Sequence, residues 1–285
     1  MFVLINFLSK AGNPPAITFK ENKGQWPEKV LFGASLYNTQ FYVNKNSFNY
    51  CVYSMADLKK GAELHHECTN TILRGHNYEV EFLGGDLNDF TKTNEQKEYY
   101  NYFLGNKRSK WASHVKAFTQ VQFNSIYSNI DLKLYSKGAN LKYDLILKPG
   151  GNSNSIQLQY KFIDNLSIRD NDLIIKTSIG EIIEQKPYAF QMINGKEVSV
   201  KCSYTLLKNN TVGFYFPEGY NKNYELVIDP TVIVCSYSGY TGWAAGSCAT
   251  YDAQGNIYNA GYARENYPTT PGAFSSTYYG VYDIV

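Results

Sequence analysis

The 285-residue chain has no block of like charge: 27 Lys and Arg meet 25 Asp and Glu, for a formal net charge of +2. Its densest basic stretch, "GNKRSKW" at 105–111, holds three cations. Nucleic-acid binding needs a basic stripe that follows the phosphates, so no nucleic-acid partner is expected. Long apolar runs are missing too. Phe2–Leu8, apolar apart from Asn6, is a run of seven residues, against the roughly 20 that a membrane-spanning helix requires. The five cysteines, Cys51, Cys68, Cys202, Cys235 and Cys248, include no CxxC pair, which excludes a zinc ribbon or a thioredoxin-like site. GxSxG, GxGxxG, P-loop and HExxH patterns are all absent. These absences argue against a nucleophile elbow, a nucleotide cofactor and a zincin site. No cofactor, no metal and no catalytic residue is assigned.

The odd cysteine count leaves at least one thiol unpaired in a monomer. Cys51–Cys68 and Cys235–Cys248 can each close a short loop, and buried free thiols fit equally well, because cysteine packs like a small hydrophobe. Residues 1–17 read as a signal-peptide remnant or a linker: the apolar run lacks a basic residue before it, and Pro14-Pro15 follows it.

What the chain has in quantity is aromatic: 26 Tyr and 16 Phe. Tyrosine suits half-buried strands, where its ring packs inward and its hydroxyl stays wet. Period-two alternation begins near Thr18. In "SIQLQYKF" (155–162), Ile156, Leu158, Tyr160 and Phe162 point one way and Gln157, Gln159 and Lys161 the other. "NIDLKLYSKGANLKYDLILKPGG" predicts two strands around a Lys-Gly-Ala-Asn loop, closed by Pro149-Gly150-Gly151, which is either a hinge between modules or a wide turn. Asn194-Gly195 is a strong type I′ hairpin signal, and further turns are expected at 169–172, 178–181 and 208–210. Helix is expected only at 94–105, between Asn94 and Gly105, with a further turn in "WASHVKAF" (111–118) and one within a surface loop at 55–70. Strand and turn signals recur every 8–12 residues, the spacing of a sandwich or barrel. The fold class is therefore all-β: a β-sandwich-like N-terminal region of two β-modules, divided near 120–150, then an incomplete β-propeller repeat. Domain boundaries fall at 1–17, 18–231 and 232–285, because charged residues thin out and small ones rise after "YELVIDPTV".

Candidate chemistry is sparse. "ELHHEC" (63–68) offers metal-type ligands, but adjacent histidines on a strand face opposite ways, so a polar loop is the simpler reading. Asp252–Asn256 superficially resembles a calcium loop yet lacks alternating acidic oxygens, which favours a structural turn. None of the four histidines, His65, His66, His76 and His114, is expected to have a nucleophile-like neighbour. Asp131 and Asp144 fall on neighbouring expected strands and could form a glycosidase-type pair, though alternation puts them on the solvent face beside Lys133 and Lys142. Exposed tyrosines, with Tyr37, Tyr42, Tyr99, Tyr100 and Tyr102 as candidates, suit sugar faces or protein interfaces; core packing explains them equally well.

Several segments together carry a resemblance. "FKENKGQWPEKVLFGA" (19–34), "YNYFLGNKRSKWASHV" (100–115), "VQFNSIYSNIDLKLYSKGANLKYDLILKPGG" (121–151), "TSIGEIIEQKPYAFQ" (177–191) and "GFYFPEGYNKNYELVIDP" (213–230) lead into "SYSGYTGWAAGSCATYDAQGNIYNAGYARENYPTTPGAF" (236–274). In order and spacing, the chain resembles secreted Bacteroidota proteins with an N-terminal β-domain followed by SBBP (β-propeller) repeats. The last segment resembles one such repeat, with "YDIV" (282–285) starting the next, so the chain looks truncated after its first repeat. "GYTGWAAG" departs from the family by lacking an acidic residue in that turn. The resemblance implies an extracellular or outer-membrane surface location. The resemblance does not settle the biochemical role; the expectation is a non-enzymatic scaffold or adhesin-like protein, with a glycan or a cell-surface protein as partner. The alternative is a carbohydrate-active enzyme or its binding module: a cleft with paired carboxylates would mark the enzyme, a flat aromatic strip the binder. Oligomeric state and ligand identity are not written in the sequence.

Overall fold

The computed structural model describes residues 17–36, 38–55, 57–58, 72–103, 105–137, 140–233, 244–251, 257–263 and 283–284. The chain is all-β, and every strand pairing is antiparallel among the described residues. One compact unit spans Ala16–Ser236.

Its first row of strands is a meander of β1 (Phe19–Glu21), β2 (Val30–Ser35), β3 (Thr39–Asn44), β4 (Ser47–Tyr53) and β5 (Gly75–Phe82). The chain then forms β6 (Phe90–Tyr102), β7 (Ala112–Tyr127), β8 (Ile130–Lys137) and β9 (Asn140–Leu147) as a second meander, joined to the first by β1 pairing with β7. After Gly151 the chain returns to both rows. β10 (Leu158–Lys161) pairs with β5, and β15 (Ser203–Leu207) and β16 (Thr211–Tyr215) extend that row. β11 (Asn165–Arg169), β12 (Asp172–Thr177), β13 (Gly180–Ile193) and β14 (Lys196–Val200) join the other row through β17 (Leu226–Ile233), which pairs with both β13 and β9. Pro149-Gly150-Gly151 is thus a turn inside one compact unit, with Gly150 at φ +88.

The alternation explains the core. Phe41, Phe48, Tyr50, Tyr78, Val80 and Phe82 from the first row share one buried cluster with Phe123, Leu132, Leu134, Tyr143 and Leu145 from the second. Rings touch across the rows, Phe48 lying edge-on to Tyr143 at 5.7 Å and Phe32 to Phe123 at 6.2 Å. Such pairs contribute about 0.5–1.5 kcal/mol each beyond the area they bury. Pro230 has no N–H to give a ladder, and the β13–β17 register slips between Gln185 and Tyr188, close to that point.

Turn chemistry follows local rules. Ile193 pairs with Lys196 across Asn194 (φ +52) and Gly195 (φ +76), the positive dihedrals of a type I′ turn. Asp170 and Asn171 make a second turn of this kind, at φ +55 and +71. Leu58 N–H donates to the Ser54 carbonyl at 3.0 Å, so a helical turn starts the 55–70 loop.

Three expectations are corrected. The helix at 94–105 is strand: β6 runs to Tyr102 and pairs with β7, its register shifting between Glu95 and Tyr99 and again between Tyr100 and Tyr102. The helical turn in 111–118 is also strand, the first half of β7. The end signals Asn94 and Gly105 have another cause. Asn94 takes φ +57 within the strand and Gly105 φ +69 at the ribbon tip, while the Tyr-rich stretch between them gains ladder bonds and cross-strand ring contacts that an isolated helix lacks. Third, Phe162 does not point inward with Ile156, Leu158 and Tyr160; it is 69% exposed because φ +60 breaks the alternation.

The second region is described by itself. β18 (Ala244–Tyr251), β19 (Ile257–Ala263) and β20 (Asp283–Ile284) form a three-stranded antiparallel sheet in that order. The Asp252–Asn256 turn, "ELHHEC", Tyr37, Cys68, Cys235 and the N-terminal segment through residue 16 lie outside the described residues. Cys51 and Cys202 are free thiols.

Candidate aromatic binding face

The segment "ENKGQWPE" between β1 and β2 folds around one side chain. Asn22 Oδ1 accepts from the N–H of Gly24 at 3.0 Å and of Trp26 at 3.3 Å. Its Nδ2 donates to the carbonyls of Pro27 at 3.0 Å and Val30 at 2.8 Å. The loop so formed lays the Trp26 indole on Gly33 of β2. A Cβ at Gly33 would stand 2.7 Å from Trp26 Cη2, so only glycine admits the ring. Tyr42 and Tyr102 both pack on it, each with its ring centroid 5.6 Å away and edge-on.

From this anchor the β6–β7 ribbon runs past the end of β1, carrying most of the exposed aromatics of interest. Tyr99 is 53% exposed, Tyr100 37%, Phe103 58% and Trp111 37%. Each has a partner that orients it. Lys20 Nζ sits 4.7 Å from the Tyr100 centroid, and Tyr99 stacks on His114 at 4.5 Å. At the tip, Phe103 meets Trp111 edge-on at 5.6 Å, the Arg108 guanidinium lies 5.7 Å from the Trp111 ring, and Trp111 Nε1 donates to the Gly105 carbonyl at 3.1 Å. Burial lowers the Lys20 ammonium from its ordinary value, and among the described residues no carboxylate is ion-paired with it.

Beside the ribbon an open groove of about 460 Å³ is lined by Glu21, Trp26, Glu28, Leu31, Phe90 and Lys92. Burial pushes the Glu21 carboxyl up. The Lys92 hydrogen bond, the Lys116 N–H and the charges of Lys92 and Lys23 outweigh that and leave it below the usual carboxylate value. Glu21 is thereby committed, at 2.9 Å from Lys92 Nζ and 3.2 Å from Lys116 N.

Of the sequence candidates, Tyr42, Tyr99, Tyr100 and Tyr102 come together here. Tyr42 and Tyr102 serve as packing for Trp26, while Tyr99 and Tyr100 face solvent. Trp26, Gly33, Lys20, Phe103 and Trp111 were not singled out from sequence. The signal for the first two was the lone glycine inside the strand "VLFGAS", since such a glycine marks a close approach.

The carboxylate candidates take other roles. Asp131 is not on the solvent face: it is 3% exposed, accepting from Ser125 N at 2.8 Å and pairing with Lys148 at 2.7 Å. The β7–β8 register shifts between Phe123 and Tyr127, and Asp131 caps the N–H that this irregularity frees. Asp144 lies opposite Lys133, whereas Asp131 lies opposite Ile146. The Asp144 carboxyl is pushed up to about 6, by burial first and the Asp229 carboxylate second. Tyr135 OH donates to it at 3.2 Å, and Asp229 pairs with Lys142 at 2.7 Å.

His76 does have a nucleophile-type neighbour, contrary to expectation, because the β12–β13 turn brings in a residue 102 positions away. Ser178 Oγ is 2.9 Å from Nδ1, and Nε2 donates to the Phe162 carbonyl at 2.6 Å. The carbonyl only accepts, so Nδ1 is left as the acceptor for Ser178 Oγ–H. No cluster of three or more metal-ligating side chains occurs among the described residues.

Residues 19–231 match the family described as Domain of unknown function (DUF7948). The chain belongs to that family. No curated protein and no solved structure matches it. The Trp26 anchor, the aromatic ribbon and the Asp131 cap all lie within the DUF7948 domain, as does the His76–Ser178 pair. No helix among the described residues is long and apolar enough to cross a membrane.

Proposed function

We propose that this protein is a non-enzymatic secreted or cell-surface β-scaffold whose DUF7948 domain binds glycan on the aromatic ribbon and precedes a propeller that binds partners or glycans. The observation that carries the reading is the set of solvent-facing rings, Tyr99, Tyr100, Phe103 and Trp111, each in contact with a partner side chain on one ribbon. An oriented ring offers a sugar's C–H face a stacking surface with little side-chain entropy left to lose. Two strand rows around a common core support a β-sandwich-like reading of the N-terminal region. The β18–β20 sheet supports a propeller-type repeat. The enzymatic alternative is not favoured: Asp131 is held by Ser125 and Lys148, and it does not stand opposite Asp144.

A glycan array probed with the full chain tests this. Binding is expected on at least one glycan class and is expected to be lost in a Tyr100→Ala/Trp111→Ala variant that unfolds at the wild-type temperature. An array with no signal, or a signal unchanged in the double variant, would refute the reading.

A further inference from the structure

Beyond Glu98, which is exposed beside Tyr99, the charges along the exposed rings are basic. From Tyr99 to Lys116 the chain has Lys107, Arg108, Lys110 and Lys116 and no Asp or Glu; the next acidic residue after Glu98 is Asp131. Of the carboxylates near this stretch, Glu95 pairs with Lys116 at 2.8 Å and Glu21 with Lys92 at 2.9 Å. Lys107, Arg108 and Lys110 are exposed in the stretch between Phe103 and Trp111, and they enter no ion pair among the described residues. Two of the exposed rings also come with a cation built in: Tyr100 with Lys20 and Trp111 with Arg108. A ring beside a cation, repeated along a ribbon, complements a ligand that repeats an apolar face beside an anionic substituent.

We propose that the ribbon's ligand is an acidic polysaccharide, its sugar faces stacked on Tyr100 and Trp111 and its carboxylates or sulfates paired with Lys20, Arg108 and the neighbouring Lys107 and Lys110. This rests on the glycan-binding reading and narrows it to an anionic class. A membrane surface fits less well. An interfacial anchor presents a contiguous apolar face, whereas here Tyr99 and Tyr100, adjacent on a strand, point to opposite faces and each ring carries a polar companion. Single-stranded nucleic acid also pairs rings with anions, but it is held in a basic groove that tracks the backbone; the groove beside this ribbon is lined by Glu21 and Glu28 together with Lys92.

The experiment titrates the full chain with polygalacturonate oligomers and, separately, with the same oligomers fully methyl-esterified, which keeps the sugar faces and removes the charge. Tryptophan fluorescence and calorimetry read the affinity. The acidic oligomer is expected to bind roughly tenfold or more tighter than its ester, since one well-placed charge contact worth about 1.4 kcal/mol gives that factor. Its affinity is expected to fall with added salt. A Lys107→Gln/Arg108→Gln/Lys110→Gln variant, which keeps Lys20, is expected to lose most of the preference for the acidic form while leaving the unfolding temperature unchanged. Equal binding of acid and ester overturns the charge assignment and leaves glycan binding standing; binding of neither, together with a silent array, removes both. Tighter binding to oligothymidylate, or to vesicles containing phosphatidylglycerol, than to the acidic oligomer overturns the proposal in favour of that class.

Discussion

Replacing Glu184 by Gln is expected to change how stability depends on pH. Glu184 points inward from β13, 2% exposed, and accepts from Tyr160 OH at 3.0 Å. Its other oxygen, Oε2, has no partner among the described residues. Burial, and next the nearness of Glu184, hold the phenols of Tyr50, Tyr143 and Tyr204 well above their ordinary value. The same burial pushes the Glu184 carboxyl from 4.5 to about 7, against a smaller lowering by the Tyr160 hydrogen bond. Below pH 4.5 the group is neutral in both folded and unfolded chains and costs nothing. Between 4.5 and about 7 only the unfolded chain ionises, so stability falls as pH rises, and above that the loss is complete. At about 1.4 kcal/mol per pH unit, an interval of roughly 2.5 units gives ~3 kcal/mol. Glutamine does not titrate. The stability of Glu184→Gln relative to wild type is therefore expected to rise by that amount between about pH 4.5 and 8. For a unit of this size this corresponds to ~6–12 °C in Tm. Urea unfolding of both proteins across this range reads the difference, and the other titrating groups cancel in it. A difference that stays flat with pH would show that the buried carboxyl does not carry the penalty.

Three further outcomes are expected. Gly33→Ala drives a methyl group into the Trp26 ring, which also packs on Tyr42 and Tyr102, so a loss of about 1–3 kcal/mol is expected, with a red-shifted tryptophan emission; an unchanged spectrum would mean that the indole does not lie on Gly33. In Asp229→Asn the second cause of the raised Asp144 value is removed, and carbon-13 NMR of the Asp144 carboxyl should show it titrating below about 6. Phe162→Gly relieves a side chain held at φ +60 while giving up little buried area, and a gain of up to about 1 kcal/mol is expected in urea unfolding. A loss there would mean that the exposed ring is packed more firmly than its 69% exposure implies.

Much of the fold was legible because its signals are local. Alternation in "NLKYDLIL" put Leu141, Tyr143, Leu145 and Leu147 on one face, and all four are buried. Asn194-Gly195 forms its turn because both residues tolerate positive φ wherever they are placed. The region 94–105 misled for the same reason. Its cap-like ends are local features, but the strand is recruited by β7, and a ladder partner is invisible in a window of twelve residues. The candidate site was half legible. The tyrosines stood out by type, yet which of them face water was settled by where Trp26 lies, and that depends on Gly33 and Tyr42 from two other strands.

The sequence by itself thus determined the β class, the inward-facing residues of the regular strands and the tight turns, since a two-residue period and a positive φ are properties of neighbouring residues. Only the tertiary structure decided the burial of Asp131 on a nominally outward position, the meeting of His76 with Ser178, and the isolation of Glu184 among tyrosines. Each depends on a register shift, or on contacts between residues far apart along the chain. Desolvation and hydrogen bonding are properties of the assembled neighbourhood rather than of the residue.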